Sequence, residues 1–341
     1  MSPRNIDYDT YYGKHCARYY GWLPASISYK KESKKKSLKY FTLCAKEAID
    51  VFMLEKEGVL RRDKNKKLPN VIICESEEKD AVEIFKFVRP PLESSILVGK
   101  LEEILTFQDT NKTKGLSLDN DVKDAEIRKL LRTKRLSEQI KELFPFDIIN
   151  FDPYESLVAL DFEENKMYQA FKRIFELQKS INSFLLFVTT KITDIHLNVE
   201  SRFKKDFECN VTEYPGIREI LSLERITTYD EICDENKRKA LGFAKTIVMA
   251  VARSQGWNCE HKGIYIYEYD KPGGTRMLSS VVKLSKAHTT PDETAYVQDV
   301  IRIVKVMPKY YSYEESSRKG EVKNHLEKVK EYREEIRKEY T

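Results

Sequence analysis

The sequence predicts an α/β fold with a largely parallel sheet, and three observations point there. Strand-like and helix-like runs alternate from Leu38 to about residue 190, which implies crossover connections between parallel strands. Two β-rich runs then flank Lys271-Pro272-Gly273-Gly274, the signal of a hairpin. Hydrophobic residues make up 41% of the 341 positions, enough to build one large domain with insertions or two modest ones.

The elements follow in order. Lys39-Tyr-Phe-Thr-Leu-Cys44 is an apolar first strand, and Ala45 to Glu57 a helix closed by Gly58. Val71 to Glu75 is a second strand; the helix after it, over about 77–88, stops at Pro90-Pro91. Ser95 to Gly99 is a third strand and 148–151 a fourth. A helix over about 164–180 leads to the fifth, Ser183 to Thr189. A long helix over about 235–254 precedes the hairpin strands Gly263–Tyr269 and Met277–Leu284.

Around this core, residues 1–37 form an aromatic and basic extension, rich in tyrosine and ending in Lys30-Lys-Glu-Ser-Lys-Lys-Lys36. The tyrosines and Trp22 either pack as a flap or stack on bases. The domain proper spans 38–310, with insertions at 106–146 and 190–234. Residues 311–341 are a Lys/Glu-rich helical tail, expected to be exposed or to dock on a protein partner.

Composition narrows the function classes. A net charge of +5 with 34% charged residues permits nucleic acid as a partner without demanding it. The six cysteines form no CxxC pair and the five histidines are scattered, so no metal site is expected. With no signal peptide and no apolar run of membrane-spanning length, the expected location is cytoplasmic, with reduced thiols and no membrane partner.

The most informative stretch is Asp147-Ile-Ile-Asn-Phe-Asp-Pro-Tyr-Glu-Ser156, a buried strand running into Asp152-Pro153-Tyr154. Open α/β sheets bind ligands at the carboxyl ends of their strands. A carboxylate, a rigid turn and an aromatic placed there can orient a flat substrate; the alternative is an ordinary Asp-Pro turn.

The order of these segments resembles the class I S-adenosylmethionine-dependent methyltransferases, with a Rossmann-like sheet of five parallel strands plus a C-terminal antiparallel hairpin and helical insertions. Within that fold it is most similar to the tRNA guanine-N2 methyltransferases. Phe146 to Ser156 is similar to that family's strand-four motif, Leu185 to Thr190 to its strand-five segment, and Ile73 to Val82 to its acidic strand-two motif. The resemblance implies S-adenosylmethionine as cofactor, with Glu75 on the ribose and Lys100 or Glu102 near the adenine. It places Cys44 and Ala45 beside the methionine part, Asp152 facing a methyl-accepting amine, and Tyr154 stacked on the base. Glu75 also reads as an acid favoured at a helix N-terminus.

The chain departs from the family in the loop after strand one. Leu43-Cys-Ala-Lys-Glu-Ala48 contains no glycine, and Lys46 stands where one is expected; Glu155 replaces the glycine after the strand-four aromatic. Two functions follow. One is a methyltransferase acting on a nucleic-acid base amine, RNA favoured, with Arg128, Lys129, Arg132, Lys134, Arg135, Arg202, Lys204 and Lys205 on the phosphates. The other is a catalytically silent relative serving as a scaffold or binding subunit of a larger nucleic-acid-associated complex.

Overall fold

Among the described residues, eight strands form one sheet: β1 (Tyr40–Thr42), β2 (Val71–Glu75), β3 (Ile96–Val98), β4 (Ile148–Phe151), β5 (Ser183–Lys191), β6 (Trp257–Glu268), β7 (Arg276–Lys286) and β8 (Lys309–Tyr311). The computed structural model describes residues 11–44, 47–89, 95–108, 125–153, 156–223, 228–232, 234–269, 271–287, 292–305 and 308–339. The spatial order is β3-β2-β1-β4-β5-β7-β6-β8. β1 to β5 pair in parallel, and β7 runs antiparallel to both β5 and β6. β8, which the sequence did not announce, adds in parallel to β6.

Alternation along each strand sends side chains to opposite faces. Tyr40, Ile73, Ile148, Leu185 and Tyr265 belong to one core, whereas Phe41, Ile72, Ile149, Leu186 and Ile264 belong to the other. Helices cover both faces. The first core takes α1 (Tyr12–Ala17), which continues through a π-helical segment (Arg18–Trp22) into α2 (Leu23–Ser33). It also takes α3 (Ile49–Lys56), α4 (Glu78–Val88) and the last helix of the chain. The second core takes α5 (Leu101–Leu105), α6 (Ala125–Leu143), α7 (Lys166–Leu177), α8 (Leu197–Glu213) and α9 (Pro215–Leu223). Its remaining helical cover is α10 (Glu235–Gly242), a π-helical segment (Phe243–Met249), α11 (Ala250–Ser254) and α12 (Glu293–Lys305).

Several expected boundaries shift for physical reasons. α3 begins at Ile49, not 45, because Ala48 takes a left-handed conformation at φ 46°. β6 starts at Trp257, where buried Trp257, Cys259 and His261 alternate with more exposed Asn258, Glu260 and Lys262. Among the described residues, the insertion at 190–234 holds α8, α9 and a short 3-10 turn at Tyr229–Glu231. After α13 (Tyr313–Arg318), the tail forms α14 (Gly320–Lys338), whose Val322, Leu326, Val329 and Ile336 are buried. That apolar stripe packs on α3, α4 and α1 of the same chain.

The N-terminal aromatics are packed. Trp22 is fully buried, stacks on Phe187 with ring centroids 5.1 Å apart, and donates its indole N–H to Ser279 Oγ at 3.0 Å. Two glycines allow this close approach. A Cβ on Gly13 would lie 2.7 Å from Tyr267 Cβ, and one on Gly21 would lie 2.4 Å from the Tyr265 ring.

Lys245 lies buried in the second π-helical segment. Its ammonium bonds to the main-chain oxygen of Asp206 and sits 5.9 Å from the Phe207 ring centroid. Burial pulls its pKa down from 10.5 to about 7, against smaller upward pulls from Asp206, Cys209 and Glu213. Below about pH 7 the lysine is protonated in both native and unfolded states, so the burial penalty applies in full. Between about 7 and 10.5 the unfolded chain holds the extra proton, so stability rises with pH. Lys245→Met is expected to raise the melting temperature more at pH 6 than at pH 10, read by thermal unfolding at both. An equal change at the two values would contradict this account.

Candidate ligand crevice at the carboxyl ends of β1 and β4

From β1 the chain winds outward through β2 to β3, then returns to place β4 on the other side of β1. In open α/β sheets such a reversal marks where a ligand crevice forms, here beyond the carboxyl ends of β1 and β4. The residues there come from the loop after β1, the ends of β2 and β4, and α1.

A buried polar network lies at the base of the crevice. Thr42 of β1 is in register with Asn150 of β4. The Asp50 carboxylate, 1% exposed in the first turn of α3, draws them together. Its Oδ2 accepts from the Tyr40 hydroxyl at 2.5 Å, Thr42 Oγ1 at 2.7 Å and Asn150 Nδ2 at 3.2 Å. Asn150 Nδ2 also donates to Thr42 Oγ1 at 3.0 Å. Asp50 Oδ1 and Asn150 Oδ1 are buried and accept no hydrogen bond among the described residues. Burial, reinforced by Asp50, pushes the Tyr40 phenol well above its usual pKa, so it stays a donor.

Glu75 closes β2. Its Oε1 accepts from the Glu77 backbone N–H at 3.1 Å and Ser76 Oγ at 3.2 Å. Burial raises its pKa, and the hydrogen bonds from Glu77 and Ser76 pull the other way. Cys44 lies buried at the end of β1. Its thiol is pushed well above the usual value by burial, then by Asp50 and Glu75, with Arg18 opposing, which makes it unreactive. Lys100 is exposed, 3.9 Å from the buried Glu102 at the start of α5. Ala45, Lys46, Tyr154 and Glu155 lie outside the described residues.

On the β4 side, Asp152 is already engaged. Its Oδ2 lies 2.5 Å from Lys14 Nζ of α1, with the two side chains only 5% and 13% exposed. Pro153 is buried behind it. Tyr267 of β6, fully buried, has its phenol pushed up by burial and then by Asp152. Tyr11 stacks on Tyr269 with centroids 4.1 Å apart, holding the start of α1 across the same edge.

The basic residues expected on phosphates fall on two helices with different neighbours. On α6, Lys129 is exposed and 3.2 Å from Glu103; Arg132 and Arg135 are exposed and Lys134 is half-buried. The side chain of Arg128 lies outside the described residues. On α8, Arg202 pairs with Asp206 at 3.0 Å, Lys204 pairs with Asp230, and Lys205 is exposed. α6 packs on α5, whereas α8 packs on α9 and α10. Among the described residues there is no metal-binding group of three or more His, Cys, Asp or Glu side chains. No described helix is long and apolar enough to cross a membrane.

Comparison with known proteins adds one match, over residues 119–341. The chain belongs to the PP_RS20740-like family. The description of the PP_RS20740-like family names no activity, and its match carries Asn150 and Asp152 but not Lys14, Asp50 or Glu75. No curated protein and no solved structure matches this PP_RS20740-like chain.

Sequence reasoning did not single out Lys14, Arg18, Asp50 or Asn150. Asp50 and Asn150 carried a signal, a polar residue inside an apolar helix and an apolar strand. Lys14 carried none. Removing its charge leaves the Asp152 carboxylate buried and unpaired, so Lys14→Met is expected to lower the unfolding free energy by on the order of 3 kcal/mol. Lys14→Met/Asp152→Leu should recover most of that loss in urea unfolding. A single variant as stable as wild type would show that the pair does not hold α1.

Proposed function

We propose that this chain is an S-adenosylmethionine-binding, methyltransferase-like protein whose acceptor is an amine of a nucleic-acid base, RNA favoured. The observation that carries this reading is the pair of carboxylates, Glu75 and Asp152, on either side of the β1/β4 switch point. Each stands at the strand end where the resemblance expects it. Five parallel strands followed by a hairpin support the same reading.

The residues present fit the cofactor's donor groups. Glu75, at the end of β2, would accept from ribose hydroxyls, and the buried Asp50 Oδ1 from an ammonium group. S-adenosylmethionine would supply an electrophilic methyl group on its sulfonium. Asp152 would accept the hydrogen bond of the incoming amine and fix its lone pair, a task of alignment more than of strong base catalysis. The Lys14 ammonium holds that same carboxylate, so an acceptor amine has to displace it.

The Lys14–Asp152 pair favours a second reading, a binding subunit that holds its cofactor or nucleic acid without transferring a methyl group. Calorimetric titration with S-adenosylmethionine tests both. Binding is expected, and Glu75→Ala should weaken it about tenfold, as the loss of one charge-assisted bond implies. No heat at millimolar cofactor would remove the basis of the enzyme reading. Methyl transfer to RNA that Asp152→Ala abolishes without changing cofactor affinity supports the enzyme. Binding without transfer supports the subunit. Affinity for RNA should fall steeply with salt if phosphates are contacted.

A further inference from the structure

Arg18 is a buried cation that the fold leaves short of acceptors. It is 8% exposed, yet it makes no ion pair with any carboxylate among the described residues. One guanidinium nitrogen lies 3.2 Å from His15 Nδ1, the carbon sits 5.6 Å from the Trp22 ring centroid, and Nε is buried without a partner. A guanidinium is always a donor, so His15 accepts at Nδ1 and carries its proton on Nε2. The Nε–H is then a buried donor left to be matched. Burying a cation this way is costly unless an anion completes it.

The surroundings suit an anion. Arg18 lines a small cleft between helices, with His15 and Tyr19 on its own helix, Ile49 and Met53 of α3, and His325 of α14. No carboxylate lines this cleft. α3 starts at the same wall with no side-chain cap on its first turn. Among nearby acids, Asp50 holds Tyr40, Thr42 and Asn150 through Oδ2, Asp152 holds Lys14, and Glu321 holds Tyr20. Glu57 lies 3.7 Å from His325 Nε2, and burial lowers the His325 pKa so that the ring is disposed to be neutral.

We propose that the cleft between α1, α3 and α14 is an oxyanion site, with Arg18 as its fork and the first turn of α3 as its second wall, for the phosphate or carboxylate group of a small ligand. The planar guanidinium matches both groups in a two-bond geometry. This site does not rest on S-adenosylmethionine binding, and its test uses simple anions.

Thermal unfolding of the full chain is compared in phosphate, acetate and chloride at equal ionic strength, for wild type and Arg18→Met. Phosphate or acetate is expected to raise the wild-type Tm by a few degrees over chloride, and the rise should vanish in Arg18→Met. A rise with phosphate alone assigns a phosphate ligand, and one with acetate alone a carboxylate ligand. No rise with either anion, or an equal rise in the variant, overturns the proposal. If Arg18→Met does not fold, phosphorus NMR of inorganic phosphate with wild type and Arg18→Lys decides, because lysine keeps the charge and loses the fork. Broadening in wild type that falls several-fold in the lysine variant supports the site; equal broadening, or none, overturns it.

Discussion

The Asp50 carboxylate is the constraint on which the centre of the molecule depends. It sits in the first turn of α3, yet its hydrogen bonds go to Tyr40 and Thr42 of β1 and Asn150 of β4. One buried group thereby fixes the start of a helix against two adjacent strands. A carboxylate that deep is tolerated only while its donors remain in place, because an unmatched buried charge is expensive. The network therefore sets the shape of the crevice floor, and leaves two acceptor oxygens there.

The N-terminal helix closes the other side. Gly13 and Gly21 let it approach β6 closely, and Trp22 is wedged between Phe187 and Ser279. These contacts carry Lys14 to Asp152 and Arg18 to the wall of α3. α1 and the π-helical segment after it thus bring two cations to one edge of the sheet, one paired with a carboxylate and one not. On the proposed reading, the paired cation keeps an acceptor amine from Asp152 until Lys14 moves away. The unpaired one is the fork of the proposed anion site.

Much of the fold was legible because buried strands read as apolar runs. Val71–Glu75, Ile148–Phe151 and Ser183–Lys191 declare themselves in this way, and Pro272-Gly273-Gly274 marks the hairpin between β6 and β7. The first half of β6 was missed because its polar residues alternate with buried ones, and the helices at 197–223 because their charge masks a narrower apolar stripe. In the crevice, Glu75 and Asp152 were legible as acids at strand ends. Their partners were not: a lysine in a tyrosine-rich N-terminal segment gives no local sign that it will meet the end of β4. Such pairs are decided by packing between distant parts of the chain, which pattern reading does not reach.

The most direct test of the crevice is amide hydrogen exchange of the intact chain with and without S-adenosylmethionine. Protection is expected in peptides covering the loop after β1, the start of α3 and the turn after Glu75, with α8 and α9 unchanged. Unaltered exchange in those three segments, or protection confined to helices of the opposite face, would contradict a ligand site at the β1/β4 switch point.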